Sequence, residues 1–173
     1  AEVAKALNPK EATLFRRAAA RVNYVALDRP DLSFASRIAA SKMSTPREGD
    51  DLIIKRIIRY LQGRPRMAIH YGFQDSGQGI VVLTDSDWAG CLETRRSTSG
   101  GVVRHGEHTI SWWCKLQTGV ALSSCESELN SPLKGAIEGL NIQRLVNASH
   151  DLPSLELRTD ATAARVVFMC PLA

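Results

Sequence analysis

The sequence predicts a mixed α/β protein in two parts: a helical segment over residues 1–66 and a sheet-bearing domain over residues 67–173. Three observations carry that prediction. Apolar residues recur at helical spacing as far as Leu61. The run "IVVLT" (80–84) is continuously apolar and β-branched, as a central strand buried on both faces requires. A long helix pattern then separates that strand from a short one ending at Asp160, the mark of a crossover connection.

The first helix is announced by Asn8 as cap, Pro9 at the first helical position and Glu11 three residues after the cap. Leu14, Ala18, Val22 and Val25 form its apolar side, with Arg16, Arg17 and Arg21 largely elsewhere. Pro30 breaks the pattern, and "LSFASRIAASKM" (32–43) resumes it. "TPRE" predicts the third start, with Thr45 as cap, Pro46 next and Glu48 completing a capping box. Ile53/Ile54, Ile57/Ile58 and Leu61 mark its apolar face, while Lys55, Arg56 and Arg59 lie on another.

From Met67 the period changes. "MAIHYGF" (67–73) is compatible with a short strand, not counted in the sheet order below, and "QDSGQG" (74–79) reads as a turn-rich connection. After "IVVLT" a loop runs to Thr98, and "SGGVVRHGEHTISWWCK" (99–115) reads as a hairpin turning near Gly106. In the long helix, Leu129, Leu133, Ala136/Ile137 and Leu140 mark one side. "DLPSLELRTD" (151–160) supplies the last strand and "ATAARVVFM" (161–169) a final short helix. The order is three helices followed by β-β-β-α-β-α, a mixed sheet with its crossover helix on one face.

Composition narrows the class. Hydrophobic residues make up 44% and charged residues 23%, as in a globular protein. No apolar run approaches the roughly 18–20 residues that span a bilayer, and no signal-peptide pattern opens the chain. The four cysteines, Cys91, Cys114, Cys125 and Cys170, show no CxxC spacing, which predicts a reducing, intracellular setting, cytoplasmic or nuclear. A net charge of +4 is compatible with a polyanionic partner without demanding one. The opening Ala predicts a processed product or a fragment.

Chemistry concentrates where apolar strand meets negative charge, in "GIVVLTDSDWAGC" (79–91). Asp85 and Asp87 read either as a polar turn or as part of a metal site. If the first and last strands run parallel and adjacent, Asp85 and Asp160 leave the sheet at the same carboxyl edge, where ligand sites gather. Glu128 lies in the first turns of the long helix. A cluster of such carboxylates repels itself without a cation. Oxygen ligands unaccompanied by paired His or Cys suit Mg²⁺ or Mn²⁺ rather than zinc. Two such ions about 3.5–4 Å apart can clamp the attacking and leaving oxygens of a phosphodiester.

The blocks "RPDLSFASRIAASKMSTP", "IIKRIIRYLQG", "TDSDWAGCLETRRSTSGG", "ISWWCKLQTGVALSSCESEL" and "LRTDATAA" together resemble the C-terminal part of a copia-type (Ty1/copia) retrotransposon Pol polyprotein. The resemblance spans the end of the reverse transcriptase connection region and most of the ribonuclease H domain. It implies an RNase H-like fold that cuts the RNA strand of RNA/DNA hybrids with a two-metal Mg²⁺ site. By motif, Asp85 matches the first metal ligand, Glu128 in "CESEL" the bridging Glu, and Asp160 the third carboxylate. It assigns Asp87 no role. The remainder of the polyprotein is an implied partner, and a larger protein assembly is a further one.

Two departures bear on activity. The family's fourth carboxylate has no counterpart before Ala173, which predicts an incomplete site and a domain truncated at its C-terminal end. Pro132 falls inside the long helix, where its ring and missing N–H oppose the carbonyl of Glu128. A helix restarting at Ser131 as cap relieves that conflict. These departures motivate a second expectation, a catalytically inactive remnant acting as a nucleic-acid-binding module or structural subunit.

Among other residues, Arg95, Arg96 and Lys115 are candidates for phosphate contact, and Trp113 for base or sugar stacking. Trp112 and Trp113 alternate, so one packs inward. Glu126 reads as a capping-box partner of Ser123. His105 and His108 do not make a zinc pattern, and Cys125 lacks a nucleophile's partners.

Overall fold

A computed structural model describes residues 4–75, 77–146 and 153–162. The chain divides into two compact units, residues 1–68 and 69–173.

The helical unit contains α1 (Pro9–Val25), a 3₁₀ turn (Pro30–Leu32), α2 (Ser33–Ser41) and α3 (Asp51–Gly63). Asn8 caps α1 as its sequence position requires, its side-chain oxygen accepting the Glu11 N–H at 2.9 Å. Phe15, Ala19 and Val22 of α1 meet Leu32, Ala39, Ile54 and Ile57 in one core. The buried stripe of α1 is thus Ala12/Phe15/Ala19/Val22, offset from the predicted one; only Val22 belongs to both. Leu14 stays 63% exposed. Phe15, the largest apolar side chain of the helix, sets which side turns inward.

"TPRE" does not start α3. Pro46 accepts the Leu7 N–H at 3.0 Å, Glu48 N–H donates to the Lys5 carbonyl at 2.8 Å, and Arg47 bridges Ala6. The segment is therefore tied to the N-terminal strand-like residues as a short antiparallel bridge. The helix begins five residues later, after a turn in which Gly49 adopts φ +92°. A backbone already bonded to another segment cannot also enter a helix.

The second unit is a four-stranded sheet with one long helix. Its elements are β1 (Ile80–Asp87), β2 (Thr98–His105), β3 (His108–Leu116), α4 (Ser124–Val146) and β4 (Leu155–Thr159). The strand order is β3-β2-β1-β4. β1 pairs antiparallel with β2 and parallel with β4, Thr84 standing opposite Thr159. The mixed sheet and crossover helix agree with the sequence prediction. The β2–β3 turn sits at Gly106, φ +56°.

Met67–Phe73 forms no strand. Tyr71, and Gln74 just beyond the segment, hold the hairpin through side chains instead: Tyr71 Oη donates to the Thr109 carbonyl at 2.8 Å, and Gln74 Nε2 to the His105 carbonyl at 3.1 Å. The predicted final helix lies, beyond Thr162, outside the described residues.

α4 departs most from expectation. Its sheet-facing residues are small: Ser127, Ser131, Gly135 and Gly139 recur every fourth position and are buried. A Cβ at Gly139 would stand 2.7 Å from Val82 Cγ2, and one at Gly135 would collide with Thr84 Cγ2. Glycine at these two positions lets the helix lie this close to β1. The apolar side predicted to face inward is instead exposed, Leu133 at 56% and Ile137 at 54%. The helix is also unbroken at Pro132, which is fully buried, so the predicted restart does not occur.

Candidate functional site

β1 alternates strictly. Ile80, Val82 and Thr84 are buried on the α4 face, which leaves Leu83 and Asp85 exposed on the other. Register extends the pairing of Leu83 with Arg158 and Thr84 with Thr159 to the next row, Asp85 and Asp160. Both aspartates line one open depression of about 550 Å³, together with Leu83, Gly100, Val102 and Arg158. The predicted meeting of Asp85 and Asp160 at the carboxyl edge is present. Arg158 in that depression forms an ion pair with Glu156, Nε to Oε1 at 2.7 Å, which holds the Glu156 carboxyl below its ordinary range.

Glu128 is not among the residues that line this depression. It rides on α4, which packs against the opposite face through Ser127, Ser131 and Gly135. Among the described residues no group of three or more His, Cys, Asp or Glu stands close enough to hold a metal ion. Of the three carboxylates that the sequence motif implies, Asp85 and Asp160 share the depression and Glu128 is not among its lining residues. Pro132, one turn beyond Glu128, has no N–H to offer the Glu128 carbonyl.

Asp87 has a defined local role. Its Oδ1 accepts the Thr98 N–H, and Gly90 stands so close to the carboxylate that no Cβ would fit there. The loop from Trp88 to Ser97 is closed by further bonds: Ser97 Oγ accepts the Ala89 N–H at 3.0 Å, and Cys91 N–H reaches the Arg96 carbonyl at 3.1 Å. Ala89 and Arg95 both take positive φ, at 53° and 55°. A hydrogen-bonded loop of this kind fixes where the basic residues emerge.

The predicted phosphate contacts divide accordingly. Arg95 is exposed at the loop, and Lys115 is exposed near the end of β3 opposite Ser99. Both belong to the sheet end where Asp85 lies. Arg96 is half-buried and donates to the Thr118 carbonyl at 2.6 Å, which ties the loop to the segment after β3. Trp113 is corrected outright. It is 8% exposed and its ring covers Gly101, where any Cβ would collide with it. A ring packed in the core has no face for a base.

Sequence reading also missed a polar seam between helix and sheet. Ser131 Oγ donates to the Asp85 carbonyl at 2.6 Å, and Ser127 Oγ to Ser86 Oγ at 3.1 Å. Gln117 Nε2 joins Ser99 Oγ and the Ser127 carbonyl at 2.9 and 3.0 Å. The fourfold spacing of Ser127, Ser131, Gly135 and Gly139 is the signal that could have shown it. Half of the predicted capping box is present: Glu126 N–H reaches Ser123 Oγ at 3.2 Å, but the Glu126 carboxylate accepts the Leu122 N–H at 2.7 Å rather than that of Ser123.

Similarity to known proteins bears on this arrangement. The retrovirus-related Pol polyprotein from transposon RE1 of Arabidopsis thaliana is 38% identical over 121 residues, 69% of this chain and 8% of the polyprotein. Retrovirus-related transposon Pol polyproteins are thus among the homologues of this chain. An uncharacterized mitochondrial protein of Arabidopsis thaliana is 39% identical over 114 residues, 66% of this chain and 47% of that protein. A secreted RxLR effector protein of Plasmopara viticola is 37% identical over 100 residues, 58% of this chain and 70% of the effector. This Pol homologue thus spans about half the length of the mitochondrial relative and under a tenth of the polyprotein. No family model and no solved structure matches it. Among its described residues no helix is long and apolar enough to cross a membrane.

Proposed function

We propose that this Pol homologue is the ribonuclease H-like unit of a copia-type element, preceded by a connection-like helical segment, and that it engages an RNA/DNA hybrid without cutting it in the described arrangement. The observation that carries this reading is the β1–β4 register: parallel strands put Asp85 and Asp160 on one open face while Glu128 stands outside their depression. Arg95 and Lys115, exposed at the same end of the sheet, suit the phosphates of a duplex read by shape and 2′-hydroxyls. The setting is intracellular, within or beside the rest of the reverse transcriptase polyprotein.

Hydrolysis of the RNA strand is the second reading, and the convergence of Asp85 and Asp160 favours it. It requires Glu128 to join them around Mg²⁺ or Mn²⁺, as the family motif implies. One experiment separates the two readings: a labelled hybrid is incubated with the chain and Mg²⁺, and binding and cutting are followed together. Salt-sensitive binding with intact RNA supports the first reading. RNA cutting that Asp85→Asn abolishes establishes the second, and no affinity at all overturns both.

A further inference from the structure

The helical unit carries a groove that the proposed nucleic-acid reading does not use. It has a volume of about 470 Å³ and lies between α1 and α3, beside the turn at Gly49. Phe15 and Ile54 form its buried floor, and Leu14 and Ala18 line α1's side of it. Leu14 and Ala18 are the apolar residues that periodicity assigned to the core and that the fold leaves facing the groove. A Leu left 63% exposed at the mouth of a concave apolar surface is a contact waiting for an apolar partner.

The rim is acidic. Glu11, Glu48 and Asp51 line it, against one cation, Lys55, which pairs with Asp51 at 2.6 Å. The chain as a whole has 22 basic and 18 acidic residues, so this local excess of carboxylates runs against its average. An apolar floor inside an acidic rim is complementary to one chemistry, apolar side chains flanked by Lys or Arg. We propose that this groove docks a basic amphipathic helical peptide segment of a partner protein, its Leu- or Ile-type residues on Phe15 and Ile54 and its cations beside Glu11 and Glu48.

The test uses the full chain and a fluorescein-labelled Leu/Lys amphipathic helix of about fifteen residues, roughly 22 Å long. Two counterparts accompany it, one with Lys→Glu and one with Leu→Ser. Saturable binding of the Leu/Lys peptide alone is expected. The double variant E11Q/E48Q, altering two exposed carboxylates, should weaken it about threefold to tenfold. Leu14→Ser should weaken it as well, with the helical circular dichroism and the hybrid affinity of both variants unchanged. Equal binding of the Lys→Glu peptide, or indifference to E11Q/E48Q, overturns the proposal. So does sedimentation showing that a second copy of the chain occupies the groove and that Leu14→Ser dissociates it. Loss of hybrid binding in the parent chain would count against the nucleic-acid reading and leave this one standing.

Discussion

Ser131 Oγ donates a hydrogen bond to the main-chain carbonyl of Asp85 at 2.6 Å, joining the middle of α4 to the strand end that carries the candidate site. The bond lies on the small-residue stripe, so it and the close approach at Gly135 depend on each other. Ser131→Ala should cost about 1–2 kcal/mol, because it removes a buried hydroxyl's bond and leaves the Asp85 carbonyl without this donor. Gly135→Ala is the sharper test. In an open helix that change stabilises by about 1 kcal/mol. Here the new methyl meets Thr84, and a loss of about 1–3 kcal/mol is expected. Urea unfolding at constant m reads both.

The two aspartates of "TDSD" should respond in opposite ways. Asp87 holds the Thr98 N–H, so Asp87→Ala should destabilise by about 1–3 kcal/mol and loosen the Trp88–Ser97 loop. Asp85 is exposed, and Asp85→Asn should change stability by no more than about 0.5 kcal/mol. Thermal melts of the two variants side by side would show it. A destabilised D85N beside a neutral D87A would reverse the assignment.

What the sequence made legible follows from which forces act locally. The Asn8 cap, the Ser123 side-chain cap on the Glu126 N–H and the Gly106 turn are fixed by neighbours three or four residues away, and they stand as predicted. The β1–β4 edge was also legible, because a continuous apolar strand and a crossover helix leave few topologies. Which face of α4 turns inward was not. Periodicity assumes that the larger apolar side is buried, whereas this helix packs by closeness of backbone and buries serine and glycine. The start of α3 failed similarly, since the bridge from Ala6 to Arg47 is a long-range bond that no capping rule contains. Asp160 and Asp85 were found by topology; Trp113 was misjudged because alternation alone does not say which of two adjacent tryptophans faces the core.

Acid should act on the helical unit through Asp31. Its carboxylate accepts Arg29 Nε and Nη2 at 3.0 and 2.8 Å and Tyr60 Oη at 2.7 Å. The Arg29 guanidinium, helped by Tyr60, holds its pKa down at about 2. The folded value lies below the unfolded one. Its stabilisation is therefore present above about pH 4 and is lost as pH falls through about 2. Asp31→Asn should flatten that acid limb of melting temperature against pH. At neutral pH it should cost roughly 1–2 kcal/mol, since Arg29 loses its charged partner and keeps the Arg64 carbonyl at 3.1 Å. An unchanged acid limb would remove Asp31 from the account.

Hybrid binding should depend on charge at Arg95 and Lys115 and on packing at Trp113, and salt distinguishes the two. Removing a phosphate contact lowers the slope of log affinity against log salt by about one. Arg95→Ala and Lys115→Ala should each do so with little change in stability, both side chains being exposed. Trp113→Ala should behave in the opposite manner. It opens a cavity over Gly101 and should cost about 3–5 kcal/mol of stability. Its salt slope should match the parent's wherever the chain is still folded. Equilibrium titrations at several salt concentrations, on variants whose unfolding curves are known, measure both quantities. A slope unaltered by Arg95→Ala and Lys115→Ala together would place the duplex elsewhere on the molecule. A stable W113A with weakened binding would return that ring to the interface from which its burial removes it.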